Sequence, residues 1–91
     1  MFIYLGRNFE YLCGEDPTVG AVLVKQAVRG IQSRGIIANA KHWVNNEIET
    51  DRKTVSANVD ERTRFELYYP PFQSAIDAGI SNLFIVKPQY Y

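Results

Sequence analysis

The fold of this chain is indicated most clearly by one short run of sequence, Gly35-Ile36-Ile37-Ala38-Asn39-Ala40-Lys41-His42. It begins with a glycine, continues through a short and mostly apolar stretch at residues 36–40, and becomes polar at Lys41 and His42. An apolar run of this kind, without alternation, is typical of a strand buried on both faces, as parallel strands are in α/β proteins. We therefore predict a strand over residues 36–40, with Lys41 and His42 directly after its carboxyl end.

An amphipathic helix is predicted on the amino-terminal side of this strand, over residues 17–33. Asp16 is a good N-cap, because its carboxylate can accept hydrogen bonds from the free amides of the first turn, and Pro17 suits the first helical position. Apolar residues with helical spacing follow at Val24, Ala27, Val28 and Ile31. Gly35 is a natural stop after the last turn.

A second helical region is predicted after a long polar loop at residues 45–58. Asp60 is its N-cap candidate. Its apolar stripe consists of Phe65, Tyr68, Phe72, Ala75 and Ile76. Pro70 and Pro71 interrupt this stripe, because neither can donate a backbone hydrogen bond and their rings clash with the preceding turn. We expect a kink, or a break into two short helices that end at Gly79, and core packing for the cluster at residues 68–72.

A second strand is predicted at residues 83–86, so the order is helix, strand, loop, helix, strand. This alternation indicates β/α units with parallel strands and right-handed crossovers. Two parallel strands alone leave sheet edges unpaired and apolar faces exposed. We therefore predict an α/β chain that is part of a larger fold and has poor stability on its own.

Composition excludes several classes of function. The 91 residues contain ten basic and ten acidic side chains, and this balance argues against a nucleic-acid module, which carries a basic patch. A single cysteine, Cys13, excludes an intrachain disulfide framework and a multi-cysteine zinc site. The apolar runs fall far short of the roughly 18 residues of a membrane span, and residues 1–7 lack the features of a signal peptide. We expect no nucleic-acid partner and no membrane partner.

Lys41 and His42 are candidate ligand-binding residues because of their place after a predicted strand. The carboxyl ends of parallel strands are where ligand-binding side chains collect. Lysine offers three donors and histidine a donor and an acceptor, a combination that suits closely spaced hydroxyls such as those of a sugar. A solvated lysine beside a structural histidine is the alternative that spacing alone leaves open.

The other candidates are weaker on residue chemistry alone. Arg7 suits either a cation clamp on a ligand or an ion pair with Glu10 or Glu15. Glu47 and Glu49 are the kind of carboxylate pair that glycosidases use, but in a polar loop a solvated acidic face is the simpler interpretation. His42 with Glu47 and Glu49 could form a metal site, but since the chain has a single histidine, we predict none.

Three blocks of sequence resemble glycoside hydrolase family 3, of the β-glucosidase type. They are Gly-Arg-Asn-Phe-Glu-Tyr at 6–11 with Gly-Glu-Asp-Pro at 14–17, Gly-Ile-Gln-Ser-Arg-Gly-Ile-Ile-Ala-Asn-Ala-Lys-His-Trp-Val-Asn-Asn-Glu at 30–47, and Val-Asp-Glu-Arg-Thr-Arg-Phe-Glu-Leu-Tyr-Tyr-Pro-Pro-Phe at 59–72. The blocks follow the family order and cover roughly residues 6–80. The resemblance implies that residues 1–91 are a fragment of the family's N-terminal (β/α)8 catalytic domain, a TIM-barrel type, with about two β/α units.

The resemblance also implies roles for three residues. Lys41 and His42 match the pair that hydrogen-bonds the hydroxyls of the sugar in the −1 subsite, and Arg7 matches an arginine that serves the same subsite. The implied substrate is a β-glucoside or oligosaccharide with a terminal non-reducing β-D-glucosyl residue. No metal and no cofactor are needed by the implied mechanism.

Catalytic residues are not expected in this chain. The family mechanism is retaining, with a glycosyl-enzyme intermediate on an aspartate and a glutamate as acid/base. The aspartate belongs to a Ser-Asp-Trp motif, which does not occur here, and the glutamate comes from a later domain. The resemblance thus implies that the rest of the parent catalytic domain is needed and that the chain alone is inactive.

A second hypothesis comes from the two ends of the chain. Residues 1–5 and the residues after Ile80 depart from the family pattern, which suggests a truncated reading frame. The alternative function is a non-catalytic remnant or a small stand-alone α/β module that binds sugar weakly. Many relatives are secreted or periplasmic, but this chain contains no segment that would carry a signal, so no compartment is predicted.

Overall fold

A computed structural model describes residues 16–45, 50–51 and 53–85 of the chain. The elements in chain order are α1 (Pro17–Gln32), β1 (Asn39–Trp43), α2 (Glu61–Thr63), a π-helical turn (Arg64–Tyr68), α3 (Pro70–Asp77) and β2 (Asn82–Ile85). This order of helices and strands is the predicted one. In the described part of the chain, no helix is both long enough and apolar enough to cross a membrane.

Helix α1 confirms the sequence prediction almost residue for residue. The Asp16 carboxylate accepts hydrogen bonds from the backbone amides of Thr18 and Val19 at 2.9 and 3.1 Å. At the other end, the chain leaves the helix through Gly35, whose φ of +71° lies in the left-handed region that favours glycine. Both ends of α1 are therefore determined by local chemistry.

The buried face of α1 is narrower than predicted. Its buried residues are Gly20, Val24 and Val28, which lie four residues apart and form one stripe. Ala27 and Ile31, predicted to belong to this stripe, are exposed. The reason is that α1 packs mainly on one element, α3, among the described residues, and one helix covers only one stripe of another.

Strand β1 begins three residues later than predicted. The expected strand at 36–40 is replaced by Asn39–Trp43, and Ile36 and Ile37 precede it with 61% and 66% of their surface exposed. Hydrogen bonding to β2 defines the strand, and its first pair is Asn39 with Asn82. As a correction to the sequence prediction, Lys41 and His42 therefore lie within β1 rather than after its end.

The two strands are parallel, as predicted, and their register shifts by one residue. The paired residues are Asn39 with Asn82, Ala40 with Leu83, and Trp43 with Ile85. Between the last two pairs, β1 contains Lys41 and His42 where β2 contains only Phe84. The extra residue that β1 has between these two pairs locally disrupts the hydrogen-bonded ladder. The Lys41–His42 and Trp43–Val44 peptide bonds are cis.

The second helical region is broken at the prolines, as predicted. The Asp60 side chain caps its start, accepting from the Thr63 amide at 3.0 Å and the Thr63 hydroxyl at 2.7 Å. The helix then widens into the π-helical turn, in which the Tyr69 amide donates to the Arg64 carbonyl at 2.9 Å. The wider turn avoids the clash that the proline rings cause in a regular α-helix. Helix α3 starts at Pro70 and is followed by Gly79, with φ +91°.

The core lies between α1, α3 and β1. Its buried apolar residues are Val24, Val28, Ala38, Ala40, Val44, Tyr68, Phe72 and Ala75. Two members of the predicted stripe are not in it, since Phe65 and Ile76 are 62% and 47% exposed. Phe65 is exposed because it lies in the π-helical turn. The extra residue of this turn rotates the Phe65 side chain away from the buried face of α3.

Candidate functional site

The candidate site is the segment of β1 that contains Lys41 and His42. Lys41 is half-buried, and His42 is buried with 6% of its surface exposed. The His42 imidazole meets the Phe84 ring of β2 edge to face, with centroids 5.9 Å apart and planes at 83°. A lysine and a histidine thus lie side by side, opposite a single aromatic residue of the neighbouring strand.

This arrangement provides polar groups of two kinds within one short stretch of strand. The Lys41 ammonium group can only donate hydrogen bonds, whereas the His42 imidazole in its neutral form can donate at one nitrogen and accept at the other. Side chains on a regular strand alternate between the two faces of the sheet. The register of the two strands shifts by one residue at Lys41 and His42, while burial along β1 still alternates. The hydrogen-bonding capacity of the two side chains suits a ligand that presents several hydroxyls.

The side chain of Trp43 contacts the helices, whereas that of His42 contacts β2. Its indole stacks on Tyr69, with centroids 5.0 Å apart and planes at 24°, and meets Phe72 edge to face at 5.1 Å. A groove of about 370 Å³ runs beside this cluster. Its lining residues are Trp43, Phe65, Tyr69, Pro70, Gln73 and Ile76. These two ring contacts of Trp43 hold the end of β1 against the helix break.

Asn45 is a residue of this region that the sequence analysis did not single out. It is buried, with 3% of its surface exposed, and its φ of +69° lies in the left-handed region. Asparagine adopts this conformation more readily than most residues. The predicted strand ends at residue 40, so the sequence contains no signal that Asn45 lies in the turn directly after β1.

Several sequence candidates lie outside the described residues. These are Arg7, Cys13, Glu47 and Glu49. Of the three predicted substrate-binding residues, Lys41 and His42 are consecutive residues of β1, and Arg7 lies outside the described residues. Among the described residues, no group of three or more histidine, cysteine, aspartate or glutamate side chains is arranged to hold a metal ion.

Comparison with known proteins gives one consistent result. Residues 7–86 match the model of the glycosyl hydrolase family 3 N-terminal domain. A β-glucosidase from Rhizobium radiobacter is 48% identical over 76 residues, which is 82% of this chain and 9% of that protein.

Solved structures agree. A β-glucosidase from Streptomyces venezuelae, in complex with D-glucose, matches with a TM-score of 0.81 and 34% identity over 89% of this chain and 10% of that one. A β-D-glucoside glucohydrolase from Trichoderma reesei matches with a TM-score of 0.80 and 40% identity over 88% of this chain and 11% of that one.

The chain spans about a tenth of the length of these relatives. The matched solved structures are β-glucosidases of a family whose N-terminal domain is a TIM barrel, so the parallel strands and helices described above are part of a (β/α)8 fold. This confirms the fold class and the resemblance found in the sequence. Because the family model covers residues 7–86 and the structural match extends over the same elements, the chain belongs to glycosyl hydrolase family 3 and carries part of its N-terminal domain.

Proposed function

We propose that residues 1–91 are a segment of the catalytic domain of a retaining β-glucosidase and supply part of its −1 sugar subsite. The parent enzyme would hydrolyse terminal non-reducing β-D-glucosyl residues of β-glucosides or oligosaccharides. The observation that carries this proposal is the Lys41–His42 pair, held at the shifted register of β1 in a chain of this family. The names of the relatives support the substrate class, since all three are β-glucosidases or a β-glucoside glucohydrolase.

Sugar binding is the part of the reaction that these residues would perform. Lys41 would donate to hydroxyl oxygens of the glucosyl ring, and His42 would exchange a hydrogen bond with a neighbouring hydroxyl. We include Arg7 as a third ligand of the same subsite, on the strength of its Gly-Arg-Asn-Phe-Glu motif. Hydrogen bonds to hydroxyls that strengthen as the oxocarbenium-like transition state forms lower the barrier to hydrolysis.

Bond cleavage would depend on the rest of the parent domain. The retaining mechanism needs a carboxylate nucleophile and a second carboxyl group as acid/base. The Ser-Asp-Trp motif of the family nucleophile is absent from the sequence. The chain alone is therefore proposed to be inactive.

The exposed apolar surface supports a segment of a larger domain over a stand-alone module. Leu23 on α1, Ile37 before β1 and Ile85 on β2 are each more than 60% exposed. Two of these residues lie on α1 and β2 and the third in the segment before β1, where a complete barrel has neighbouring strands and helices. Large exposed apolar patches mark surface that another part of a protein covers.

A chimeric enzyme tests this function directly. The segment of the Rhizobium radiobacter β-glucosidase that corresponds to residues 7–86 is replaced by residues 7–86 of this chain, and hydrolysis of p-nitrophenyl β-D-glucopyranoside is measured. We expect an active chimera. Because transition-state hydrogen bonds are lost, Lys41→Met and His42→Gln should each lower kcat/KM by roughly 10²-fold or more, as the loss of other transition-state donors does.

The matched control is Lys53→Met, which removes an exposed lysine from the loop before α2. Its kcat/KM should stay within about two-fold of the parent chimera, since an isolated surface charge contributes little. A folded chimera without activity, or one in which Lys41→Met and His42→Gln behave like Lys53→Met, would contradict the proposal.

A further inference from the structure

We infer that Phe84 is a positioning residue that holds the imidazole of His42 in the orientation in which it meets a sugar hydroxyl. The role of His42 in this inference rests on the function proposed above. The contact itself does not, because it is observed between the two rings, with centroids 5.9 Å apart and planes at 83°.

The first argument concerns the freedom of the imidazole. The last torsion of a histidine side chain joins a tetrahedral to a planar carbon, and its preferences are broad. A modest rotation about this bond moves both ring nitrogens, and with them the directions in which they donate and accept. An edge-to-face aromatic contact has a preferred geometry and restricts this rotation.

The second argument concerns the backbone. Phe84 is the one β2 residue between the pairs Ala40–Leu83 and Trp43–Ile85, so the paired strands on both sides fix its place opposite Lys41 and His42. Phe84 therefore cannot move along β1 without breaking the ladder. The shifted register thus determines which β2 side chain lies beside the histidine.

The third argument concerns burial. Phe84 is 54% exposed, whereas His42 is 6% exposed. The exposed part of Phe84 is open to neighbouring elements of a complete barrel, as that of Ile85 is, but its contact with the buried imidazole is made within this chain. A merely apolar role would be served equally well by leucine, and this difference makes the inference testable.

The chain offers a direct spectroscopic probe, because His42 is its only histidine. In the full 91-residue chain, the imidazole carbon-bound protons give one set of signals. With histidine and phenylalanine selectively protonated in an otherwise deuterated chain, nuclear Overhauser contacts from these protons identify any phenylalanine ring beside them. We expect a contact to Phe84 in the unmutated chain, and its absence there would overturn the inference.

Three variants then separate positioning from packing. Phe84→Leu removes the ring and keeps an apolar side chain, Phe84→Tyr keeps the ring, and Phe65→Leu removes a ring of similar exposure that contacts Tyr69 instead. The glucose affinity of each variant is measured as inhibition of the chimeric enzyme described above, and the His42 signals are followed in the 91-residue chain. We expect Phe84→Leu to weaken glucose binding about three- to ten-fold, the effect of losing one aromatic pair. Phe84→Tyr and Phe65→Leu should each stay within about two-fold.

The outcomes of this experiment are distinguishable. Equal glucose affinity and unchanged His42 signals in Phe84→Leu would overturn the positioning role, as would a loss in Phe84→Leu that Phe84→Tyr shares. If the 91-residue chain shows the Phe84 contact but glucose does not inhibit the active chimera, the proposed sugar site fails. In that case Phe84 still positions the imidazole if the His42 signals shift in Phe84→Leu and keep their original place in Phe84→Tyr.

Discussion

The indole of Trp43 stacks on the phenol ring of Tyr69, with the two planes only 24° apart and the centroids separated by 5.0 Å. Trp43 is the last residue of β1 and Tyr69 the residue at which the π-helical turn meets α3. The contact therefore joins the strand that carries Lys41 and His42 to the proline break in the helix. The helix break holds the end of that strand in place.

Removing this anchor should loosen β1. We expect Trp43→Ala to lower the free energy of unfolding by about 3 kcal/mol, because it removes a large aromatic side chain and two ring contacts. Trp43→Phe keeps an aromatic ring and should cost less than half as much. Urea unfolding followed by far-ultraviolet circular dichroism measures both, and equal losses would show that the ring contacts do not hold the strand.

The fully buried Phe72 should dominate the stability of the helical layer. It has 0% of its surface exposed, whereas Phe65 has 62%, and both lie in the same helical region. Phe72→Ala leaves a cavity and should cost about 3–5 kcal/mol, enough to abolish a cooperative transition in so small a chain. Phe65→Ala should cost less than about 1 kcal/mol. Similar unfolding curves for the two variants would contradict the core described above.

Two glycines should respond in opposite directions to alanine. Gly30 lies within α1 with open space where a Cβ would be, so Gly30→Ala should stabilise the chain by about 0.5–1 kcal/mol. Gly35 also has open space but a φ of +71°, so Gly35→Ala should destabilise the chain by about 1 kcal/mol. Thermal unfolding of both variants at one pH gives the comparison. A stabilising Gly35→Ala would mean that α1 does not end there as described.

Asp60 should make the stability depend on pH at the acid end. Hydrogen bonds from the Thr63 amide and then the Thr63 hydroxyl hold the pKa of its carboxyl below the ordinary 3.8. Because the folded-state pKa is the lower one, this stabilisation is present above the unfolded-state value and is lost as the pH falls through the folded-state value. The free energy of unfolding of the unmutated chain should therefore exceed that of Asp60→Asn by less and less as the pH is lowered from about 5 toward 2.

The measurement is the difference in unfolding midpoint between the unmutated chain and Asp60→Asn at several pH values in that window. The control is Asp77→Asn, whose carboxylate lies at the end of α3 and accepts from the Gln73 side chain at 2.9 Å instead of from backbone amides. A difference for Asp60→Asn that stays constant over the whole window would be evidence against the cap.

Sequence alone determined the elements whose causes are local. Asp16 with Pro17 begins α1 and Gly35 follows its end, because capping and left-handed φ depend only on neighbouring residues. Pro70 broke the second helix for an equally local reason. The family resemblance and the pair of Lys41 and His42 could also be recognised from the order of residues, and the family is confirmed.

Only the tertiary structure determined the features that depend on residues far apart in sequence. β1 starts at Asn39 rather than Ile36 because Asn82, more than forty residues away, is its first partner, and no local pattern shows that register. The same holds for the contact between His42 and Phe84, which exists only because two parallel strands meet with one residue of shift. Exposure of Phe65 depends on the width of the π-helical turn. A strand's hydrogen bonds are made with another segment, so only the folded chain could determine which side chain lies beside the histidine.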